Sequence, residues 1–177
     1  MRVIAGRYGG RRLKAPAGAA TRPTADRVRE ALFSILGARV ADARVLDLFA
    51  GAGTLGLEAL SRHAAQATFV ESAPRALAAL RANVAALGAD AEIVRADALR
   101  WLRAASGGAR QYDLVFLDPP YRRAADLGAE LSELLPPVLA PGALVVAESD
   151  RRTPLELSFT ATDERRYGDT VIRIHAA

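Results

Sequence analysis

Val45-Leu46-Asp47-Leu48-Phe49-Ala50-Gly51-Ala52-Gly53-Thr54-Leu55-Gly56 is the stretch around which the chain is organised. An apolar run stops at an acidic residue, small residues follow, and an amphipathic segment begins. This predicts a buried strand, a tight turn and a helix. Gly51, Gly53 and Gly56 fit G-x-G-x-x-G, a turn that lets the backbone approach a nucleotide-like ligand closely. Glu71 ends the next apolar run, 20 positions after Gly51. A carboxylate at that distance can accept hydrogen bonds from both hydroxyls of a ribose.

Two ligand classes satisfy these features. A dinucleotide places its pyrophosphate on the helix N-terminus. S-adenosylmethionine has no phosphate and presents an ammonium and a carboxylate. Asp47 directly precedes the glycines, where a negative charge suits a cationic amino group better than a pyrophosphate. The residues therefore favour S-adenosylmethionine.

Outward from this turn, apolar runs alternate with helical spacing. Strands are predicted at 44–48, 67–71, 92–95, 112–117 and 143–148, with helices at 54–63, around 77–87, at 98–105 and at 126–135. The tail carries two further strands, 156–164 and 170–175, turning at Gly168-Asp169. The pattern predicts an α/β fold whose seven-stranded sheet is mostly parallel, with helices on both faces and a C-terminal antiparallel hairpin. Before it, Arg2–Ala5 and Arg11–Lys14 flank three glycines and predict a small basic β-hairpin. A helix capped by Thr24 follows, with Val28, Leu32, Ile35 and Leu36 as its buried stripe and Arg27 and Arg29 projecting away. The boundary falls between an extension at 1–20 and a main domain at 21–177.

With 177 residues, 51% of them hydrophobic, the chain can bury one sizeable core. No apolar run reaches transmembrane length, no signal-peptide pattern begins the chain, and there is no Cys. A cytoplasmic, metal-free, monomeric enzyme is the expectation. The net charge of +4 is uneven: residues 1–30 hold eight basic and two acidic side chains, leaving −2 for the remainder. A basic segment on a mildly acidic body points to a polyanionic partner. Arg7, Arg11, Arg12, Lys14, Arg22 and Arg27 are the candidate contacts, joined by Arg122.

Asp47, Glu71, Asp97 and Asp118 each stand at the carboxyl end of a predicted strand, where ligands bind in open α/β sheets. In this reading Asp47 faces an amino-acid moiety and Glu71 holds a ribose. Asp97 accepts from an adenine amino group, helped by the backbone of Ala98. Phe49, Ala50, Gly51 and Gly53 form the turn beneath. Asp118-Pro119-Pro120-Tyr121 carries the chemistry. The prolines stiffen the loop and fix the Pro119 carbonyl, which with Asp118 offers two acceptors to one NH2 group, while Tyr121 offers a face for stacking. An exocyclic amine is a poor nucleophile; holding both N–H bonds aims its lone pair at a methyl donor.

Asp47-Leu48-Phe49-Ala50-Gly51-Ala52-Gly53 together with Asp118-Pro119-Pro120-Tyr121 resembles the class I S-adenosylmethionine-dependent amino-methyltransferases, whose core is Rossmann-like. The wider pattern resembles the RsmD-type bacterial 16S rRNA (guanine-N2)-methyltransferases. It is carried by Ile4-Ala5-Gly6, Gly10–Leu13, Thr21-Arg22-Pro23-Thr24, Asp26–Glu30, Gly56–Arg62 and Tyr167–Thr170. The resemblance implies S-adenosylmethionine as cofactor and one guanine of small-subunit rRNA as substrate, in a partly assembled ribosomal particle. Three other readings compete: a DNA adenine-N6 or cytosine-N4 methyltransferase, a nicotinamide-dependent oxidoreductase, and a non-catalytic RNA-binding assembly factor.

Overall fold

A computed structural model describes residues 1–16, 23–105, 108, 110–120 and 124–177. Among the described residues, five α-helices and seven strands follow in chain order. They are α1 (Pro23–Leu36), β1 (Arg44–Leu48), α2 (Thr54–Ser61), β2 (Gln66–Glu71), α3 (Pro74–Leu87), β3 (Glu92–Arg95), α4 (Ala98–Ala105), β4 (Tyr112–Leu117), α5 (Ala124–Leu134), β5 (Leu139–Asp150), β6 (Thr160–Tyr167) and β7 (Thr170–Ala176). They build one seven-stranded sheet in the order β3-β2-β1-β4-β5-β7-β6. The first five strands run parallel, and β7 pairs antiparallel with both β5 and β6. Parallel neighbours need crossover helices, so both faces are covered. On one face α1, α2 and α3 supply Leu32, Phe33, Leu57, Leu60 and Leu80 to a core that includes Val45, Phe69 and Phe116. On the other, α4 and α5 pack Leu99, Leu102, Leu127 and Leu131 against Leu46, Val115 and Val145.

The strand order reverses between β1 and β4, which is where this topology opens a crevice. Local signals place the ends of its helices. Gly88 takes a left-handed conformation (φ 60°) and closes α3, returning its N–H to the last turn. Helix α1 starts at Pro23 rather than after Thr24, in keeping with proline's fitness for the first helical position.

Further details depart from the sequence pattern. Ile35, expected in the buried stripe of α1, is 38% exposed. Strand β5 begins at Leu139, and Pro141-Gly142 sits inside it where the pairing with β4 slips. The predicted turn is a bulge, one of the few places a sheet accepts proline. Strand β6 begins at Thr160, because Leu155 is first drawn into the core under α5. Helix α2 is not amphipathic: Gly56 through Ser61 are all buried. Its outer face is covered by residues 1–14. Only the Arg2–Arg12 bridge is sheet-like in that segment, but Val3, Tyr8 and Leu13 share the core of α1, α2 and α3.

The segment is held by side chains of α2 and α3. Glu58, fully buried, accepts from Ile4 N–H (2.7 Å) and Ala5 N–H (3.1 Å). The Ser61 hydroxyl accepts from Tyr8 N–H (2.9 Å) and donates to the Ala5 carbonyl (2.5 Å). At the far end Asn83 pairs with the backbone of Lys14. No helix of the described residues is long and apolar enough to cross a membrane.

Candidate active site

The crevice encloses about 410 Å³, a size suited to a nucleoside ligand. Its walls bring together Phe49, Gly51, Glu71, Asp97, Ala98, Asp118, Pro119 and Pro120 from four separate strand ends. Val70, Ser72, Ala73 and Ala96 complete it. Asp47, Ala50 and Gly53 are not in its lining.

Asp47 is 2% exposed and lies beneath the glycine turn, where its Oδ2 accepts from Gly56 N–H at 2.9 Å. It thereby caps α2 from β1, a service no side chain at the helix start performs. Burial pushes its carboxyl up to about 7, the Gly56 bond opposes this, and the charge of Glu71 adds to the rise. Gly53 (φ 81°) and Gly56 allow the close packing above it. A Cβ on Gly53 would meet Leu80 at 2.4 Å, and one on Gly56 would meet the Phe69 ring at 2.3 Å. Gly51 (φ 57°) differs: a Cβ there would touch no protein atom within 4 Å. Its open side is room for a ligand. Phe49, with φ 60°, holds a backbone conformation that non-glycine residues rarely keep outside constrained sites.

Glu71 is heavily engaged by the backbone. Oε2 accepts from Gly51 N–H at 2.8 Å, and Oε1 accepts from Ser72 and Ala73 N–H at 2.7 Å each. A carboxylate has about four acceptor positions, so one remains for a ligand hydroxyl. A grip on both ribose hydroxyls requires one backbone donor to share. Asp97 caps α4, its Oδ1 accepting from Leu99 and Arg100 N–H at 3.1 Å. Oδ2 has no partner among the described residues and is available to an amino donor.

Asp118 follows β4, and Pro119 behind it is buried. Protein crowds Asp118 from behind, and desolvation pushes its carboxyl well above the usual range, with the charges of Glu148 and Asp47 adding. It keeps exposed surface towards the crevice, so solvent screens part of this effect. Glu148 belongs to no motif, although it ends an apolar run on β5 as the other acids end theirs. Leu117 pairs with Ala147, so Asp118 and Glu148 take the next step along neighbouring strands and leave the sheet on the same face. Burial raises the Glu148 carboxyl too, while Arg29 pulls it down.

Arg29 itself reverses an expectation. It does not project outwards but is 5% exposed. Its guanidinium donates to the Arg2 carbonyl (2.5 Å) and to Asp26 (3.0 Å), and Glu58 lies 3.7 Å away. The internal carboxylates draw it in, so its charge does not serve an external polyanion. Arg7, Arg11, Arg12, Lys14 and Arg27 are exposed. Arg7 lies 4.5 Å over the Tyr8 ring, and Arg11 donates to the Ala86 carbonyl near the end of α3. Arg22, Tyr121 and Arg122 lie outside the described residues.

The family model described as Conserved hypothetical protein 95 matches residues 1–176. Ribosomal RNA small subunit methyltransferase D of Escherichia coli K12 is 44% identical over 153 residues, covering 85% of this chain and 75% of that protein. The Haemophilus influenzae Rd protein of the same name is 36% identical over 182 residues, covering 99% and 93%. The chain belongs to this methyltransferase family. Among solved structures, a Thermus thermophilus protein superposes with a TM-score of 0.85 at 31% identity, covering 100% of this chain and 99% of that one. A Thermus thermophilus 16S rRNA N2 G1207 methyltransferase, solved with AdoMet and guanosine, gives a TM-score of 0.71 at 23% identity, covering 90% of this chain and 44% of that one. That likeness is one of fold. The sheet is the mostly parallel one expected from the alternating pattern, and its Rossmann-like methyltransferase architecture is the one the resemblance implies.

Proposed function

We propose that this protein transfers a methyl group from S-adenosylmethionine to the exocyclic N2 of a guanine in 16S rRNA, within a small-subunit assembly particle. The observation that carries the reading is the convergence of Glu71, Asp97 and the Asp118-Pro119-Pro120 corner on one crevice. The crevice fits the cofactor's parts. Open space over Gly51 admits a ligand against the turn, Glu71 retains an acceptor for a ribose hydroxyl, and Asp97 retains Oδ2 for the adenine amine. Asp47 acts from below the turn, its charge felt by an ammonium through the backbone it supports.

The cofactor supplies an electrophilic methyl on a sulfonium. Asp118 and the Pro119 carbonyl hold the two N–H bonds of the guanine amine, and Tyr121 stacks on the base. A carboxylate is far too weak to deprotonate a neutral aryl amine, so Asp118 orients first and accepts a proton only after transfer. Alignment of this kind supplies up to ~7–11 kcal/mol in well-oriented systems. Arg7, Arg12, Lys14 and Arg27, with Arg11, Arg22 and Arg122, contact RNA phosphates; these contacts offset unstacking of the target base. Each phosphate contact adds about 0.7 to the salt slope on single-stranded RNA.

Calorimetry should detect S-adenosylmethionine and not NADH; NADH binding alone would transfer the reading to an oxidoreductase. Mass-spectrometric mapping of methylated nucleosides in 16S rRNA, from cells with and without the gene, should show one N2-methylguanosine lost. An unchanged map would sink the guanine assignment.

A further inference from the structure

Asn83 is 1% exposed on α3, and both N–H bonds and the oxygen of its amide are engaged. Oδ1 accepts from Lys14 N–H at 2.7 Å. The two hydrogens of Nδ2 go to two carbonyls, that of Lys14 at 3.0 Å and that of Ala52 at 3.0 Å. Lys14 belongs to the basic N-terminal segment. Ala52 is the middle of Gly51-Ala52-Gly53, whose first glycine lines the crevice and is held by Glu71. One buried side chain therefore sets both the seat of the segment and the shape of the turn.

We infer that Asn83 is a positioning residue that couples cofactor occupancy of the crevice to RNA docking on the N-terminal segment. It rests on the proposed role of that segment in contacting RNA. An amide has only two N–H bonds. If the turn shifts, either the buried Ala52 carbonyl loses its donor, which is costly, or Asn83 follows it and gives up its part-buried bonds to the Lys14 backbone. The two carbonyls thus hold their places together. A ligand that stiffens the turn also stiffens the seat of Lys14, and RNA then binds a segment that has less freedom left to lose. The effect is reciprocal: RNA on the segment tightens the cofactor by the same factor.

The test uses the full chain and small ribosomal subunits from cells lacking this methyltransferase, with S-adenosylhomocysteine as a cofactor that cannot react. Saturating S-adenosylhomocysteine should tighten subunit binding about 5-fold or more, within the usual range of such couplings. Subunits should tighten S-adenosylhomocysteine equally. Asn83→Asp keeps the acceptor for Lys14 N–H and loses both donations, so the factor should collapse towards one in a protein that still melts cooperatively. A residue that merely supported the fold would lower both affinities and leave their ratio intact. Should Asn83→Asp not fold, Lys14→Pro removes the N–H from the other partner and should reduce the same factor.

A wild-type factor of one, or the full factor in whichever of these variants folds, overturns the inference. Arg7→Glu with Arg12→Glu separates the two claims. If this pair leaves subunit binding unchanged, the RNA role of the segment falls. If it weakens binding while the wild-type factor is one, only the coupling falls.

Discussion

Asp47 and Asp118 leave adjacent strands on the same side of the sheet, yet their surroundings give them different work. Asp47 is sealed under the glycine turn with its carboxyl raised to about 7. A carboxyl raised above its unfolded value contributes stability in full below the unfolded pKa, and that contribution is lost as pH rises through 7. Asp47→Asn keeps an oxygen for Gly56 N–H and removes the charge. Thermal melts should therefore show the unliganded variant gaining on wild type at about pH 8 and not at about pH 4, while its S-adenosylmethionine affinity falls. A constant difference across pH would mean that the buried carboxyl does not titrate. Asp118 faces the crevice, and in the proposed mechanism it holds the amine as a carboxylate. Asp118→Ala should retain the cofactor and lose methyl transfer by about 100-fold or more, read in single turnovers. Because Asp118 and Glu148 are both raised, activity should fall on acidification before ordinary carboxylates titrate. Glu148→Gln removes a neighbouring negative charge and should move that acid limb to lower pH; an unmoved limb would detach Glu148 from the site.

The β1–α2 turn divides its glycines between two tasks. Gly56 allows α2 to lie against Phe69, and a methyl there collides with the ring and approaches Asp47 to 3.1 Å. Gly56→Ala should destabilise the fold by about 1–3 kcal/mol, as overpacking does, measured by urea unfolding. Gly51→Ala meets no protein atom, so its cost lies in the positive φ and in the space it takes from a ligand. It should weaken cofactor binding more than it lowers stability; the reverse order would place the crevice elsewhere. The turn and its flanking elements were legible because local chemistry dictates them: apolar runs ending in acids, glycines at fixed offsets, Gly88 closing α3. The bulge at Pro141-Gly142 was not, because a proline-glycine pair reads the same in a turn and in a slipped ladder. Only the register with β4 distinguishes them.

Residues 1–14 are seated on α2 and α3 through Glu58, Ser61 and Asn83, so the basic segment shares the core of the domain it precedes. Glu58 is also the meeting point of Arg29 and Arg62, the latter at 2.8 Å. Removing one partner of a buried ion group leaves uncompensated charge and costs about 3–5 kcal/mol. Glu58→Ala should show a loss of that size in urea unfolding, and a loss near zero would mean the segment is not held through it. The alternation of strands and helices, the paired hairpin at the C-terminus and the acids at the strand ends could all be read along the chain. Each follows from hydrophobic period and nearest-neighbour chemistry, and so did the convergence of Glu71, Asp97 and Asp118. Three matters could not be read that way: the inward turn of Arg29, the burial of every residue from Gly56 to Ser61, and the shared amide of Asn83. They depend on partners 27 to 69 positions away. A side chain's period tells which face of its element it occupies; what covers that face is settled only when the chain has closed on itself.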